Sequence, residues 1–139
     1  MELIANTVQT VAENQNILFT DETTCGSCSI LHRPGSGLVT LRGITQQCRA
    51  RFKVFFSGNI AIPTGGTVEA ISLAISINGE PVAATTMIQT PAAVEEFSNV
   101  ASAAYIDVPA GCCVSVGVRN LSTQSIDVQN ANLIVERIA

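Results

Sequence analysis

Five cysteines and one histidine are the side chains of this chain best suited to hold a soft metal or to act as nucleophiles. Cys25 and Cys28 stand in a CxxC spacing, His32 follows four residues later, and Cys48 lies further along. Two thiolates at that spacing can grip one zinc ion, and an imidazole nitrogen with a third thiolate would complete a tetrahedral set. Cys25, Cys28, His32 and Cys48 are therefore the candidate metal ligands. The set departs from paired CxxC motifs, because His32 follows close on Cys28 and Cys48 falls in phase with the apolar Phe52 and Val54. A disulfide from Cys25 to Cys28, or to a neighbouring strand, is a second reading. Plain packing or free thiols is the reading adopted, with no metal and no cofactor. An odd number of cysteines fits poorly with a closed disulfide framework. Cys112-Cys113 could close a strained vicinal disulfide. The simpler expectation puts Cys112 in the core with Val114 and Val116, and Cys113 on the opposite face.

A second group carries charge. In CRARFKVFF, Cys48, Ala50, Phe52, Val54 and Phe56 alternate with Arg49, Arg51 and Lys53. On a strand that alternation sends the cations to one face. Arg49, Arg51 and Lys53, with Arg42 beside them, are the candidate partner-binding residues: they could grip phosphate or an acidic partner. The alternative is a solvated face paired across strands with Glu69, Asp107 or Glu136.

Catalytic patterns are missing. There is no GxSxG, HExxH, P-loop or dinucleotide fingerprint, and His32 has no serine or cysteine partner that the sequence identifies. PTGG at 63–66 opens a strand rather than a helix, so it lacks the helix N-terminus that binds phosphate. No catalytic residue is assigned, and the chain is read as a non-enzyme.

The 139 residues suit one domain, 1–139. Apolar residues make up 47%, yet Trp is absent and only five Phe and one Tyr are present, so Val, Ile, Leu and Ala must build the core. Charged residues are 13%, which suggests that much of the surface meets other protein. The net charge of −4 argues against general nucleic-acid binding, although five of the seven basic residues (Arg33, Arg42, Arg49, Arg51, Lys53) crowd into the first half. MELIANTVQT shows neither the basic nor the apolar region of a signal peptide. No apolar run approaches the ~20 residues that span a bilayer. The expectation is a protein made in the cytoplasm, without membrane insertion.

Short alternating runs broken by turn residues recur along the chain, and no helix-period segment of useful length occurs. TVQTVA and NILFT are the first strand candidates, DETTCGSC reads as a turn-rich patch, and SILHR and GLVTLRG flank the PGSG turn. TVEAISLAISI places Ile71, Leu73, Ile75 and Ile77 on one face and small residues on the other, so both faces should be covered. Asn78-Gly79 signals a hairpin with positive φ at both positions. FSNVASAAYIDV ends at Pro109-Ala110-Gly111, CCVSVGV follows, and IDVQNANLIVERI closes the domain. About nine or ten strands and no significant helix give an all-β sandwich. Its core should include Phe52, Val54, Ile71, Leu73, Val116 and Leu133.

Three segments carry a resemblance: FKVFFSGNIAIPTGGTVEAISLAISINGE, YIDVPAGCCVSVGVRNLS and VQNANLIVERI. They resemble the C1q/TNF-like trimeric jelly roll, in the bacterial and phage branch found on spore-surface filaments and among virion proteins. The match covers residues 48–139; residues 1–47 supply N-terminal strands and the cysteine-containing loop. The whole chain is also similar to small proteins encoded beside prophage capsid genes. The resemblance implies a jelly-roll sandwich and a homotrimer with the last strand at its heart. The residues agree with it. Ala131, Leu133 and Val135 share one face of that strand, and Ile134 and Ile138, on the other, are the candidate trimer-interface residues. Two functions follow as expectations. One is a structural virion protein, such as a capsid decoration, head-fibre or tip protein, with the major capsid protein or another virion component as partner. The other is a cell- or spore-surface domain that binds a protein or glycan ligand.

Overall fold

The alternation in CRARFKVFF becomes part of the longest strand, β6 (Arg49–Ala61), in a computed structural model that describes residues 1–24 and 28–139. Ala50, Phe52, Val54 and Phe56 are fully buried, whereas Arg49 and Lys53 are exposed. Numbered in chain order, β6 sits in a sheet with the order β10 (Ser98–Pro109), β6, β12 (Ile126–Arg137), β1 (Glu2–Ala5) and β3 (Asp21–Thr24); β2 (Gln9–Val11) pairs with β12. The second sheet runs β4 (Ile30–His32), β5 (Val39–Arg42), β11 (Cys113–Asn120), β7 (Ile71–Ile77) and β8 (Glu80–Pro81), with β9 (Met87–Gln89) also on β7. The pairings within both sheets are antiparallel. Among the described residues the one helical element is a 3-10 turn, Ala83–Thr85.

The two sheets bury one core between them. Phe52, Val54, Ile71, Leu73, Val116 and Leu133, the six expected core residues, are all at 0% exposure. Each large apolar side chain so enclosed contributes about 1.5–3 kcal/mol from area alone. On β7 the small face is covered as well: Ala74 and Ser76 are buried beside Ile71, Leu73 and Ile75. Asn78 (φ 52°) and Gly79 (φ 87°) make the expected tight hairpin turn.

Several N-terminal elements differ from expectation. MELIA forms β1, and DETT forms the edge strand β3 instead of a turn. An edge strand faces water, so its polar composition is compatible with pairing. NILFT makes only an isolated bridge, at Asn16. Its backbone changes sheets midway: Ile17 N–H donates to Val118 O (2.9 Å), and Thr20 N–H donates to Ile4 O (3.1 Å) in the other sheet. Ile17 and Phe19, both buried, close the sandwich along this crossing. Gly117 lies beneath it, where a Cβ would stand 2.7 Å from Gly37 O.

Two cysteines also differ. Cys48 and Cys112 are exposed rather than core. Both lie just outside the strands whose alternation seemed to include them, because β6 begins at Arg49 and β11 at Cys113. Side-chain phase holds only where the backbone is paired.

Candidate functional site

The outer face of the β10–β6–β12–β1–β3 sheet collects the charged ladder and the exposed half of the last strand. Register defines its rows. Asp107 stands opposite Arg51, Tyr105 opposite Lys53, Ala103 opposite Phe55 and Ala101 opposite Ser57. On the other side of β6, Glu136 lies opposite Lys53, Ile134 opposite Phe55 and Asn132 opposite Ser57. Glu2 and Ile4 of β1 continue the rows of Ile134 and Asn132. Side chains directly opposite share a face, so this surface divides into a charged end and an apolar middle.

At the charged end, Arg51 Nε is 2.8 Å from Asp107 Oδ1 and Arg49 Nε is 3.1 Å from Asp107 Oδ2. One carboxylate from β10 thus sits between two guanidiniums of β6. The hydrogen bond from Arg51, aided by the charges of Arg51 and Arg49, holds the Asp107 carboxyl below its ordinary range. Lys53 lies in the row between Tyr105 and Glu136. Arg42 stands apart from this ladder. It belongs to β5 in the other sheet, opposite Cys113, with Nη1 3.5 Å from Cys28 O.

In the middle, Phe55 is half-buried and Ile134 is 36% exposed, with Ala103 beside them. Tyr105 is 69% exposed in the next row, and Ile138, 44% exposed, follows the last strand, its N–H bonded to Arg51 O. Ile134 and Ile138 therefore face outward together, while Leu133 and Val135 face the core. At the β1 edge, Glu2 accepts hydrogen bonds from the Thr23 hydroxyl and the Asn132 amide (3.0 Å), which hold its carboxyl below the ordinary range.

Of the cysteine–histidine set, His32, Cys28 and Cys48 lie among the described residues. The His32 side chain is fully buried, with its ring nitrogens 3.1 Å from Glu22 Oε1 and 2.9 Å from Ser36 O. Both nitrogens are engaged within the fold, tying β4 to the facing edge strand β3. Cys28 and Cys48 are exposed free thiols, and Cys25 lies outside the described residues. Among the described residues, no three His, Cys, Asp or Glu side chains gather as a metal site.

One cluster escaped the sequence reading. Asn120, at 0% exposure, directs its amide Nδ2 at Val11 O (3.1 Å), Ala12 O (3.3 Å) and Gln124 O (3.1 Å), while its Oδ1 accepts from Ser122 N–H (2.9 Å). The signal available was an Asn at a position in phase with Val116 and Val118, where an apolar residue would be expected.

No family model matches the chain, and no curated protein matches it. Solved structures do. The globular domain of a zebrafish complement 1qA protein aligns over 96% of this chain and 93% of its own, at TM-score 0.64 and 12% identity. The Eiger TNF of S. frugiperda aligns over 100% and 92%, at TM-score 0.71 and 11% identity. Murine APRIL aligns over 97% of both chains, at TM-score 0.61 and 9% identity. At such identities the likeness is one of fold, and the fold of this chain is a C1q/TNF-like jelly roll.

Proposed function

We propose that this domain is a non-enzymatic structural protein of a virus particle, assembled as a homotrimer through the open face around Phe55, Tyr105, Ile134 and Ile138. The observation that carries the trimer is the apolar middle of that face. Large apolar side chains uncovered on adjacent strands mark an association surface. The C1q/TNF-like fold supports the same stoichiometry through the resemblance described above. The virion role rests on the resemblance of the whole chain to proteins encoded beside prophage capsid genes, and the sparse surface charge agrees with a protein held among others. Among the described residues no helix is long and apolar enough to cross a membrane.

Light scattering at low micromolar concentration should give about three times the 14.5 kDa chain mass. Ile134→Arg should reduce that to the mass of one chain while leaving a cooperative melt, because the guanidinium would enter the proposed contact and not the core. A wild-type chain that stays monomeric overturns the trimer. The virion role is read separately, with an antibody to the domain on particles banded by density. Label on the particles supports it, and label confined to the cell surface assigns the chain to the second reading, a ligand-binding surface domain. That reading is favoured by the fold of the solved structures, the TNF and C1q domains among them.

The ladder separates subunit contact from partner contact. Arg49 and Arg51 already share Asp107 in solvent, where such pairs contribute little to folding. Replacing Arg49, Arg51 and Lys53 together by Gln should therefore leave the melt nearly unchanged. We expect an intact trimer that no longer binds the banded particles, with wild-type binding weakening as salt rises. A lost trimer instead assigns the ladder to the subunit interface. Survival of both properties makes it a solvated face.

A further inference from the structure

We propose that the end of the sandwich carrying the cysteines is a disulfide cross-linking surface that joins this domain to a second copy of the chain, with Cys112 and Cys113 as the bonding residues. Cys28, Cys48, Cys112 and Cys113 are all exposed and all free. They lie on three connections, or at the start of β11 for Cys113, that hydrogen bonds knit together at the same end of the molecule. Ala110 N–H donates to Cys48 O (3.1 Å), Gly43 N–H to Cys112 O (2.8 Å), and Arg42 N–H to the carbonyl of Ser29, the neighbour of Cys28 (2.8 Å). Arg42 in turn stands opposite Cys113 in the β5–β11 register.

Among the described residues no disulfide joins these thiols. Cys113 lies opposite Arg42, so the residue it faces across strands is not a cysteine. Cys112 and Cys113 are consecutive, and consecutive Cα atoms stand about 3.8 Å apart, shorter than the ~4.4–6.8 Å that a relaxed disulfide spans. Closing that pair on itself is therefore strained. The turn that holds them also projects them, since Pro109 through Cys113 are exposed and Cys112 and Cys113 line a shallow hollow with Arg42, Gly43, Ile44 and Gly111. A cross-linking partner must itself present an accessible thiol. Every described cysteine of this chain lies at this end, so two copies meeting end to end bring thiols together, as a two-fold contact requires. The surface lies at the strand ends, and the inference rests on the thiols there, so it does not depend on the trimer.

The oxidant is a low-molecular-weight disulfide, glutathione disulfide in the test. A thiolate of Cys112 or Cys113 attacks one of its sulfurs, the S–S bond breaks, and one glutathione leaves. A thiolate of the second copy attacks the protein sulfur of that mixed disulfide, and the second glutathione leaves. Two protein thiols are oxidised, one glutathione disulfide is reduced to two glutathiones, and the two thiol protons pass to them.

Reduced protein at low micromolar concentration, treated with glutathione disulfide, should run on a non-reducing denaturing gel at twice the 14.5 kDa chain mass and return to single mass with dithiothreitol. Peptide mapping of the wild-type band should find Cys112 or Cys113 in the interchain bond. Cys112→Ser/Cys113→Ser, at exposed positions, should melt like the wild type and cross-link about tenfold more slowly or less. The inference is overturned if the folded chain stays at single mass, whether as glutathione adducts or as an intrachain disulfide. It is overturned equally if mapping finds neither cysteine in the bond, if the double variant keeps the wild-type rate, or if urea-unfolded chain cross-links as fast as folded chain.

Discussion

Phe52→Ala should lower the unfolding free energy by about 3–5 kcal/mol, the usual consequence of emptying an aromatic site that the core cannot refill. Phe52 is fully buried on β6, with Ile106 of β10 opposite on one side and Arg137 of β12 on the other. Neighbours on both sides are held in a continuous ladder, so the cavity has little room to collapse. Against a total stability of roughly 5–15 kcal/mol, that loss is a large share. Urea titration at fixed protein concentration measures it. Phe55→Ala provides the contrast: Phe55 lies on the outer face, so its truncation should disturb assembly more than the fold. A loss below about 1 kcal/mol at Phe52 would mean that β6 is displaced by one residue, since a slip of one exchanges its two faces.

Asn120→Ala should cost about 2–4 kcal/mol, comparable with a core truncation although no large apolar group is removed. The amide of Asn120 faces three carbonyls, from Val11, Ala12 and Gln124, and its oxygen serves Ser122 N–H. Its own backbone N–H and C=O bond to Gln15 and Asn14. The residue therefore fastens the segment after β2 and the turn after β11 to one point. Removing the side chain takes one partner from each of these carbonyls and from Ser122 N–H, although Ala12 O keeps the N–H of Gln15 (3.1 Å); a buried group left without a partner costs roughly 1–3 kcal/mol, and such costs are not additive. Asn120→Asp should be worse than Ala, because it sets a carboxylate against three carbonyl oxygens. Thermal melts of the two variants test the order: an Asp variant as stable as wild type would show that the Nδ2 contacts contribute nothing.

The contrast between these two residues shows what was legible before the structure. Phe52 sits in an unbroken alternation on a long strand, and the period of two alone places it inside. The same logic located the Asn78-Gly79 hairpin, the Pro109-Ala110-Gly111 turn and the two-sided burial of β7. It failed where local pattern and pairing part company. Asn120 is polar in an apolar phase because its partners, Val11 and Ala12, are more than a hundred residues away. NILFT has strand-like residues but divides its hydrogen bonds between two sheets. DETT has none of the apolar marks of a strand and becomes one by lying on an edge beside β1. Cys48 and Cys112 follow an alternation that stops one residue short of them. The ladder was visible as three cations on one face, yet its sharing of Asp107 depends on the β6–β10 register, and the assignment of Arg42 to the same group ignored that β5 belongs to the opposite sheet.

The position of β12 has a consequence for the time course of folding. It lies between β6 and β1, pairing Leu133 with Phe56 on one side and with Leu3 on the other. During synthesis, at about 5–20 residues per second, roughly 4–15 s pass between completion of β6 at Ala61 and completion of β12 at Arg137. Through that interval β6 and β1 each present an unpaired edge, which invites strand addition by other nascent chains. Pairings across such sequence separations also form slowly, in milliseconds to seconds after the chain is available. A holdase that shields apolar strand edges on the ribosome should therefore raise the soluble yield of this domain more than faster translation does, because the strand that removes those edges is made last.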